Sequence, residues 1–556
     1  MKARRANRRL RLVLAFFVVA FAVTLLRAGW LQGVRAQSLK AMATSQHREV
    51  VALPAPRGTL YDRKGVQLAI GEPATTVYAD PRRVRDLRAT ALVAARDLGV
   101  DPNALYDELR DRSRGFVYLQ RKADPERAAR LARRKLAGLG FYSEERRSYP
   151  QGSLAAQVLG YAGTDNHGLA GLELELDKPL GGRPGDQTIV KDPFGRLIDV
   201  VSSTSEHPGR DVILTLDHTL QANVEERLRQ AVRQWRAKGA TAIVLEPRSG
   251  DVLAMASAPT FDANDFPEVA PPLQRNRAVE GTYEPGSTFK AVTVAAALSE
   301  KRVRVNTRFT LAPSIRVADR TIHDAEPRGV ETMTVAQILA RSSNVGAITL
   351  AELLGKERLS RWIARFGFGR KTGIEFPAES AGIVLPPERW SGSTIGNVPI
   401  GHGIAVTPIQ MAAAYAAIAN RGVLVRPHLV ERIEGRPPPK PRRRRVLAAT
   451  VAARLTNMLR GAVLEGTGQL ARIPGYDVAG KTGTAAKPDP EGGYSSDKYV
   501  ASFVGFVPAS APRLVILVAI DEPRGDYFGG VVAAPVFQHI ATFALQYLEV
   551  PPERRP

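Results

Sequence analysis

Residues Leu12 to Leu26 run without a charge, directly behind a tail that carries Lys2, Arg4, Arg5, Arg8, Arg9 and Arg11. A helix over that run spans about 22 Å at 1.5 Å per residue, short of the roughly 30 Å hydrocarbon core of a bilayer. Extension to Leu31 closes the gap if Arg27 snorkels to the interface and Trp30 anchors there. A cleaved signal peptide has an apolar region of similar length, but no small-x-small cleavage site follows Leu26 directly. The run therefore reads as an uncleaved anchor over residues 12–31. Basic flanks stay inside, so residues 1–11 are expected in the cytoplasm and everything beyond about residue 32 outside. No other stretch approaches a second span. The expected localisation is the cytoplasmic membrane, single-pass.

The 556 residues suffice for two or three domains, and 44% hydrophobic content is ordinary for a globular protein. There is no cysteine, which rules out disulfides, cysteine-ligated zinc, iron–sulfur clusters and a cysteine nucleophile together. Eight histidines are scattered and no H-E-x-x-H occurs, so no metal and no cofactor is expected. The net charge of +23 invites nucleic acid, but no zinc-finger, RNA-binding or helix-turn-helix signature accompanies it. A basic surface with basic tails is the expectation, with no nucleic-acid partner.

Residues 32–56 read as a juxtamembrane helix and linker ending in LPAPRG. From Arg57 to about Ser205, β-like runs such as GVQLAI alternate with helical stretches such as PERAARLARRKLAGL. GDQTIVKDPFGR reads as turn-rich, with strand-like LIDVV after it. A new regime begins near Asp211: VILTLD is a strand, LQANVEERLRQAVRQW an amphipathic helix, and TAIVLEPRSGDVLAMAS a hairpin turning at Ser249–Gly250. Strands return in YVASFVGFVP and RLVILVAID, followed by a helix over roughly Pro535 to Leu548. This is the pattern of a large mixed α/β unit. GRPPPKPRRRRV, Gly435–Val446, reads as a solvated loop. Contact with anionic lipid or a pyrophosphate head group is its alternative role.

Three stretches carry chemistry. In EPGSTFKAVTVAAALSE, Pro285 and Gly286 break the chain and a helix begins at Ser287. Ala291 to Leu298 is apolar almost all round, so this helix is expected at the centre of a domain. The i, i+3 spacing places the Ser287 hydroxyl and the Lys290 amine on one face, a hydrogen bond apart. Serine needs a base to take its proton, and lysine becomes one when burial or another cation lowers its pKa. A second S-x-x-K, Ser495 to Lys498, lies in DPEGGYSSDKY, read as a polar loop without a buried helix behind it, and is set aside.

In ILARSSNVGAITL, Ser342, Ser343 and Asn344 interrupt an apolar helical pattern. Finally GYDVAGKT, Gly475 to Thr482, fits the phosphate-loop pattern. A phosphate loop needs a helix at its Lys-Thr, whereas TAAKPDPEGG follows here, and ATP is scarce outside the membrane. YDVAGKTGTA therefore reads as a strand whose glycines admit a ligand, while the earlier Lys371-Thr372-Gly373 reads as a turn.

S-x-x-K, S-x-N and K-T-G in this order resemble the penicillin-binding and serine β-lactamase superfamily. RGTLYDRKGVQLA, RSYPQG with GLAGLELELDKPLGG, NRAVEGTYEPGSTFK, VTPIQMAAAYAAIANRG and FGGVVAAPVF narrow the resemblance to class B penicillin-binding proteins, most similar to the division-type, FtsI-like group. The resemblance implies a mixed α/β fold: a single transmembrane helix, an elongated α+β pedestal over residues 57–208, and a transpeptidase domain of antiparallel sheet and helices over residues 209–550. A short tail, 551–556, remains.

The implied activity is a peptidoglycan D,D-transpeptidase, with D,D-carboxypeptidase side activity, in septal wall synthesis. No glycosyltransferase domain precedes the pedestal, so glycan polymerisation is not expected. Ser287 would attack the D-Ala–D-Ala carbonyl, Lys290 would act as base and Ser342 would pass a proton to the leaving amine. Asn344 would hold the substrate amide, Lys481 would add positive field, and Thr482, Gly483 and Thr484 would bind the terminal carboxylate. The N–H groups of Ser287 and Thr484 would form the oxyanion hole. Implied partners are stem peptides as donor and amine acceptor, β-lactams, and an FtsW-like polymerase with other division proteins. A silent scaffold or a β-lactam-hydrolysing or sensing relative is the alternative. Glu465 reads as a helix-end residue and His402 as packing. His323 and Asp324 resemble a family loop near the site, without a catalytic role.

Overall fold

The computed structural model describes residues 2–35, 48–191, 197–489 and 491–553. The chain forms two compact units. The first comprises residues 1–56 and 182–208. Its helix Lys2–Gly29 continues into a π-helical turn, Trp30–Val34. Within it Leu10–Gly33 has a mean hydropathy of 2.3 and is unburied, making it one helix long and apolar enough to cross a membrane. Three antiparallel strands, Arg48–Leu53, Gly185–Lys191 and Leu197–Thr204, complete the unit.

Two sequence expectations change here. Arg48–Leu53, read as helix and linker, is a strand because it pairs with a segment far along the chain, Arg48 opposite Val190. Gly185–Lys191, read as turn, is the central strand of that sheet; paired on both sides, its β-branched Thr188, Ile189 and Val190 outweigh the flanking Gly and Asp. The remainder of the linker, residues 36–47, and the DPFGR segment, residues 192–196, lie outside the described residues.

The second unit comprises residues 57–181 and 209–556. One sheet runs through it in the order Val430–Ile433, Val212–Leu214, Leu60–Tyr61, Gln67–Ala79, Val117–Ala123, with Leu139–Ser148 also paired to Gln67–Ala79. Leu60–Tyr61 lies parallel to Val212–Leu214. Beneath this seam the RG, RSYP and GLELELD sequences meet in a buried ionic network. Arg57 donates Nε to Glu173 Oε2 at 2.7 Å and Nη1 to Asp177 at 2.7 Å. Arg147 donates Nε to Glu173 Oε1 at 2.6 Å and Nη1 to the Gly58 carbonyl at 2.9 Å.

A five-stranded antiparallel sheet forms the centre of the unit, in the order Val252–Ala258, Gly239–Leu245, Leu514–Asp521, Tyr494–Val507, Ala479–Pro488. Gly239–Leu245 and Leu514–Ile520 are buried throughout because both faces of the sheet are covered there. Ala240, Ala242 and Val244 pack with the helices His218–Gln234 and Ala534–Tyr547. Ile243 and Leu245 face the opposite cluster, which holds the helices Lys290–Ser299 and Pro408–Ala419. The predicted hairpin at Ser249–Gly250 is present.

Two further segments differ from expectation. Ser495 to Lys498 lie in the strand Tyr494–Val507, where Ser495 Oγ donates to Asp497 at 2.7 Å, rather than in a loop. Arg443–Arg445, part of the expected solvated loop, pairs with Val423–Val425. The ladder bonds of a strand are blind to side-chain charge, and backbone carbonyls receive the guanidiniums: Arg365 O from Arg444 at 2.7 Å and Arg421 O from Arg445 at 3.0 Å.

At the hairpin turn, His428 Nε2 lies 2.9 Å from Asp251 Oδ1. Burial alone would lower the His428 pKa, but the Asp251 carboxylate outweighs it and raises it. Burial alone would likewise raise Asp251, and His428 reverses that. The stabilisation from His428 is thus full below the ordinary histidine pKa of ~6.5 and lost as pH rises through the raised value. The Asp251 share is present above ~3.9 and lost as pH falls through the lowered value. His428→Ala is expected to lower the melting temperature most between about pH 4 and 6.5. A difference that grows in alkali would contradict this assignment.

Candidate functional site

Pro285 and Gly286 do break the chain before Ser287, but the element they start is a single 3-10 turn, Gly286–Phe289, which leads into the helix Lys290–Ser299. Gly286 has φ +54 and donates its N–H to the Gly401 carbonyl at 3.1 Å. Ser287 is half-buried, while every residue from Thr288 to Leu298 is buried. Gly401 closes against this turn: a Cβ there would sit 2.1 Å from the Gly286 oxygen, and its φ is +81. Gly401→Ala is expected to destabilise the protein by ~2 kcal/mol or more, read from chemical unfolding. A loss under about 0.5 kcal/mol would show that the turn yields freely.

The Lys290 backbone N–H donates to the Ser287 carbonyl, but among the described residues no side-chain hydrogen bond joins the two, which corrects the expected direct contact. A 3-10 turn keeps residues i and i+3 on one face, so the two side chains part because the Lys290 amine is engaged elsewhere. Lys290, 1% exposed, instead donates Nζ to the Ser342 carbonyl at 2.6 Å and Asn344 Oδ1 at 2.6 Å, with Ser342 Oγ at 3.3 Å. Burial holds its pKa well below the usual lysine range, Lys481 pushes it further down, and Asp324 opposes. Two acceptors at 2.6 Å occupy two N–H groups; a neutral amine then has its lone pair left for a hydroxyl proton.

The Ser342–Asn344 triplet is a break between two helices, Val335–Ala340 and Asn344–Leu354. Ser342 has φ +61, and Ser343 caps the second helix by accepting from Gly346 N–H at 3.0 Å. The Asn344 Nδ2 group donates to the His323 carbonyl at 2.8 Å, which fixes the amide so that its oxygen faces Lys290. Sequence reading placed His323 and Asp324 near the site by resemblance, without a catalytic role; their contacts to Asn344 are long-range, and no local spacing marks them.

Ala479–Pro488 is an edge strand of the five-stranded sheet, as read from sequence, and no helix follows its Lys-Thr. Lys481 is fully buried, with Nζ 3.2 Å from Thr482 Oγ1 and 3.3 Å from Thr467 Oγ1. Burial pulls its pKa down to about 7. Thr482 and Thr467 share a 2.6 Å hydrogen bond, and Thr484 Oγ1 accepts from Gly529 N–H at 3.0 Å. Gly483 lets the strand lie against the Ser287 turn, because a Cβ there would come within 2.8 Å of the Pro285 oxygen. The earlier Lys371-Thr372-Gly373 lies in an irregular segment after a turn and is held by Glu379, to which Thr372 Oγ1 donates at 2.6 Å and Gly373 N–H at 2.9 Å.

Along the same strand a cavity of about 170 Å³ is lined by Tyr283, Glu284, Ala485, Lys487 and Asp521 among others. Glu284 at its rim takes bonds from His402 Nδ1 at 2.8 Å, Gly403 N–H at 3.0 Å and Tyr494 OH at 3.2 Å. His402 thus bonds to a carboxylate, beyond the packing expected of it. Glu465 ends the helix Ala449–Leu464, as expected.

The family description "Penicillin binding protein transpeptidase domain" matches residues 240–542, and "Penicillin-binding Protein dimerisation domain" matches residues 52–214. Peptidoglycan D,D-transpeptidase FtsI of Escherichia coli is 33% identical over 554 residues, 98% of this chain and 92% of that one. Stage V sporulation protein D of Bacillus subtilis is 34% identical, over 99% of this chain and 87% of that one. Among solved structures, penicillin-binding protein 3 of Mycobacterium tuberculosis complexed with aztreonam matches with a TM-score of 0.71 and 32% identity, over 91% of this chain and 98% of that chain.

Proposed function

This chain belongs to the class B penicillin-binding proteins, and from that membership we propose how its residues carry out peptidoglycan D,D-transpeptidation. The Ser287 oxygen attacks the carbonyl carbon between the two terminal D-alanines while Lys290 takes the hydroxyl proton. The tetrahedral oxyanion is held by the N–H groups of Ser287 and Thr484, each such donor being worth roughly 3 kcal/mol. The C–N bond then breaks, Ser342 passes a proton to the leaving amine, and D-alanine departs from a Ser287 ester. An amine of a neighbouring stem peptide attacks that ester, forms the cross-link and returns the hydroxyl. Lys481, Thr482 and Thr484 receive the terminal carboxylate, Gly483 allows the approach, and Asn344 holds the substrate amide.

The observation that carries this reading is the burial of Lys290 against Ser342 and Asn344. Burial and the nearby Lys481 lower the pKa of this lysine, the direction a base for serine requires. The experiment is labelling by fluorescent penicillin. A stable adduct that Ser287→Ala abolishes and Ser495→Ala keeps supports the reading. Rapid turnover points to a hydrolysing relative, absence of label to a silent scaffold, and loss with Ser495→Ala alone to a wrong nucleophile.

The proposed organisation is a cytoplasmic tail 1–11, anchor 12–31, linker 32–56, pedestal 57–208, transpeptidase 209–550 and tail 551–556, with the catalytic part outside the membrane. A septal role beside an FtsW-like polymerase is proposed on the likeness to FtsI. Depletion in cells is expected to give filaments; rounded cells would point to wall elongation instead.

A further inference from the structure

Asp324 belongs to none of the three motifs, yet its carboxylate gathers the turn on which Lys290 rests. It accepts from Ser343 Oγ at 2.9 Å, from the Asn344 N–H and from the Val345 N–H at 3.0 Å. A carboxylate at the first N–H groups of the helix Asn344–Leu354 both caps it and meets its positive end. Asp324 is in turn fixed. It follows the hairpin of Ser314–Val317 and Arg320–His323, and Arg328 donates Nε to its Oδ2 at 2.6 Å. The remaining Arg328 nitrogens are spent on carbonyls, Leu311 at 3.0 Å and Ala312 at 2.9 Å. Both side chains are nearly buried, 9% and 11% exposed.

We propose that Asp324 is the positioning residue of this site, holding Ser343, Asn344 and Val345 so that the Ser342 carbonyl and the Asn344 amide oxygen stay on Lys290. The proposal rests on the assignment of Lys290 as the base for Ser287. Two constraints converge on Asn344: Asp324 holds its backbone, and the His323 carbonyl holds its Nδ2. Its Oδ1 then has one direction left, toward Lys290.

Asp324 also acts at a distance. The charged groups acting on Lys290 are Lys481, from the edge strand, which favours the neutral amine, and Asp324, from the hairpin, which favours the ammonium. Asp324 itself is kept ionised against its burial by the Val345 N–H, Arg328 and Ser343. A carboxylate here keeps the amine from becoming too weak a base while it orders the acceptors.

The test is the second-order rate constant for acylation by fluorescent penicillin, measured across its acid limb in the full chain. Asp324→Asn keeps size and one acceptor oxygen but removes the charge. It is expected to slow acylation by about 10- to 100-fold, the scale of a small misplacement in a reacting site. Its acid limb should move to lower pH, because Lys290 loses its favourable carboxylate. Asp324→Glu should return the limb to the wild-type position. A purely structural role would depress melting temperature and rate while leaving the limb unmoved, and that result overturns the proposal. A rate within about twofold of wild type does so too.

Should Asp324→Asn not fold, Ser343→Ala removes one donor and keeps the charge. A slower rate with the limb in place is expected, and an unchanged rate overturns the proposal. Failure of the underlying reading looks different: the wild-type protein itself would then show no Ser287-dependent label.

Discussion

Lys290→Ala is expected to lower the rate of penicillin acylation by ~10²–10⁴-fold, the range general-base catalysis supplies. The buried amine faces three acceptors from Ser342 and Asn344 and, among the described residues, no carboxylate in hydrogen-bond contact. Its pKa is depressed first by burial and then by Lys481. The acid limb of the wild-type profile should therefore fall well below the ordinary lysine pKa of ~10.4. The opposite limb follows Lys481. Its ammonium offers a positive field to a carboxylate and is lost as pH rises through about 7. The expected profile of the free enzyme is a bell, its acid side set by deprotonation of Lys290 and its alkaline side by deprotonation of Lys481. A variant lacking the Lys290 amine that keeps more than about a tenth of the rate, or an acid limb near ~10, would remove Lys290 from the role of base.

The second large effect is on stability. Glu173→Ala is expected to destabilise the protein by ~3–5 kcal/mol, because it strands two buried guanidiniums at once. Arg57 and Arg147, both under a tenth exposed, each give their Nε to this one carboxylate. Asp177, whose side chain is 31% exposed, also contacts Arg57; its loss should cost far less, about 1 kcal/mol, since water can replace it. Urea midpoints at constant slope give the comparison. Equal losses at Glu173 and Asp177 would show that the network is solvated and that burial is not what makes Glu173 important.

Much of the candidate site was legible because its chemistry is local. The Pro285–Gly286 break, the almost wholly apolar Ala291–Leu298 helix and the Lys481–Thr484 strand each follow from a few adjacent residues. What escaped was decided by distant partners. Arg48–Leu53 became a strand through Gly185–Lys191, and Arg443–Arg445 through Val423–Val425. Acceptors 52 and 54 positions on, in Ser342 and Asn344, drew the Lys290 amine away from Ser287. Asp324 was visible as a residue but not as a contact, since its partners lie about twenty positions on and no periodicity links them.

The sheet that joins Leu60–Tyr61 to Val212–Leu214 and Val430–Ile433 has a consequence for how such chains can be recombined. A cut at residue 208 looks natural along the sequence, yet it removes a parallel neighbour from Val212–Leu214 and bares its unpaired backbone groups. It also takes Asp62, which accepts the His218 N–H at 3.1 Å, from the start of the helix behind that strand. A catalytic fragment beginning at 209 should therefore need Arg57–Ala79 supplied with it, in cis or as a separate peptide. Module swaps between relatives should succeed at junctions that carry this segment along with the catalytic part, and fail at those that divide it.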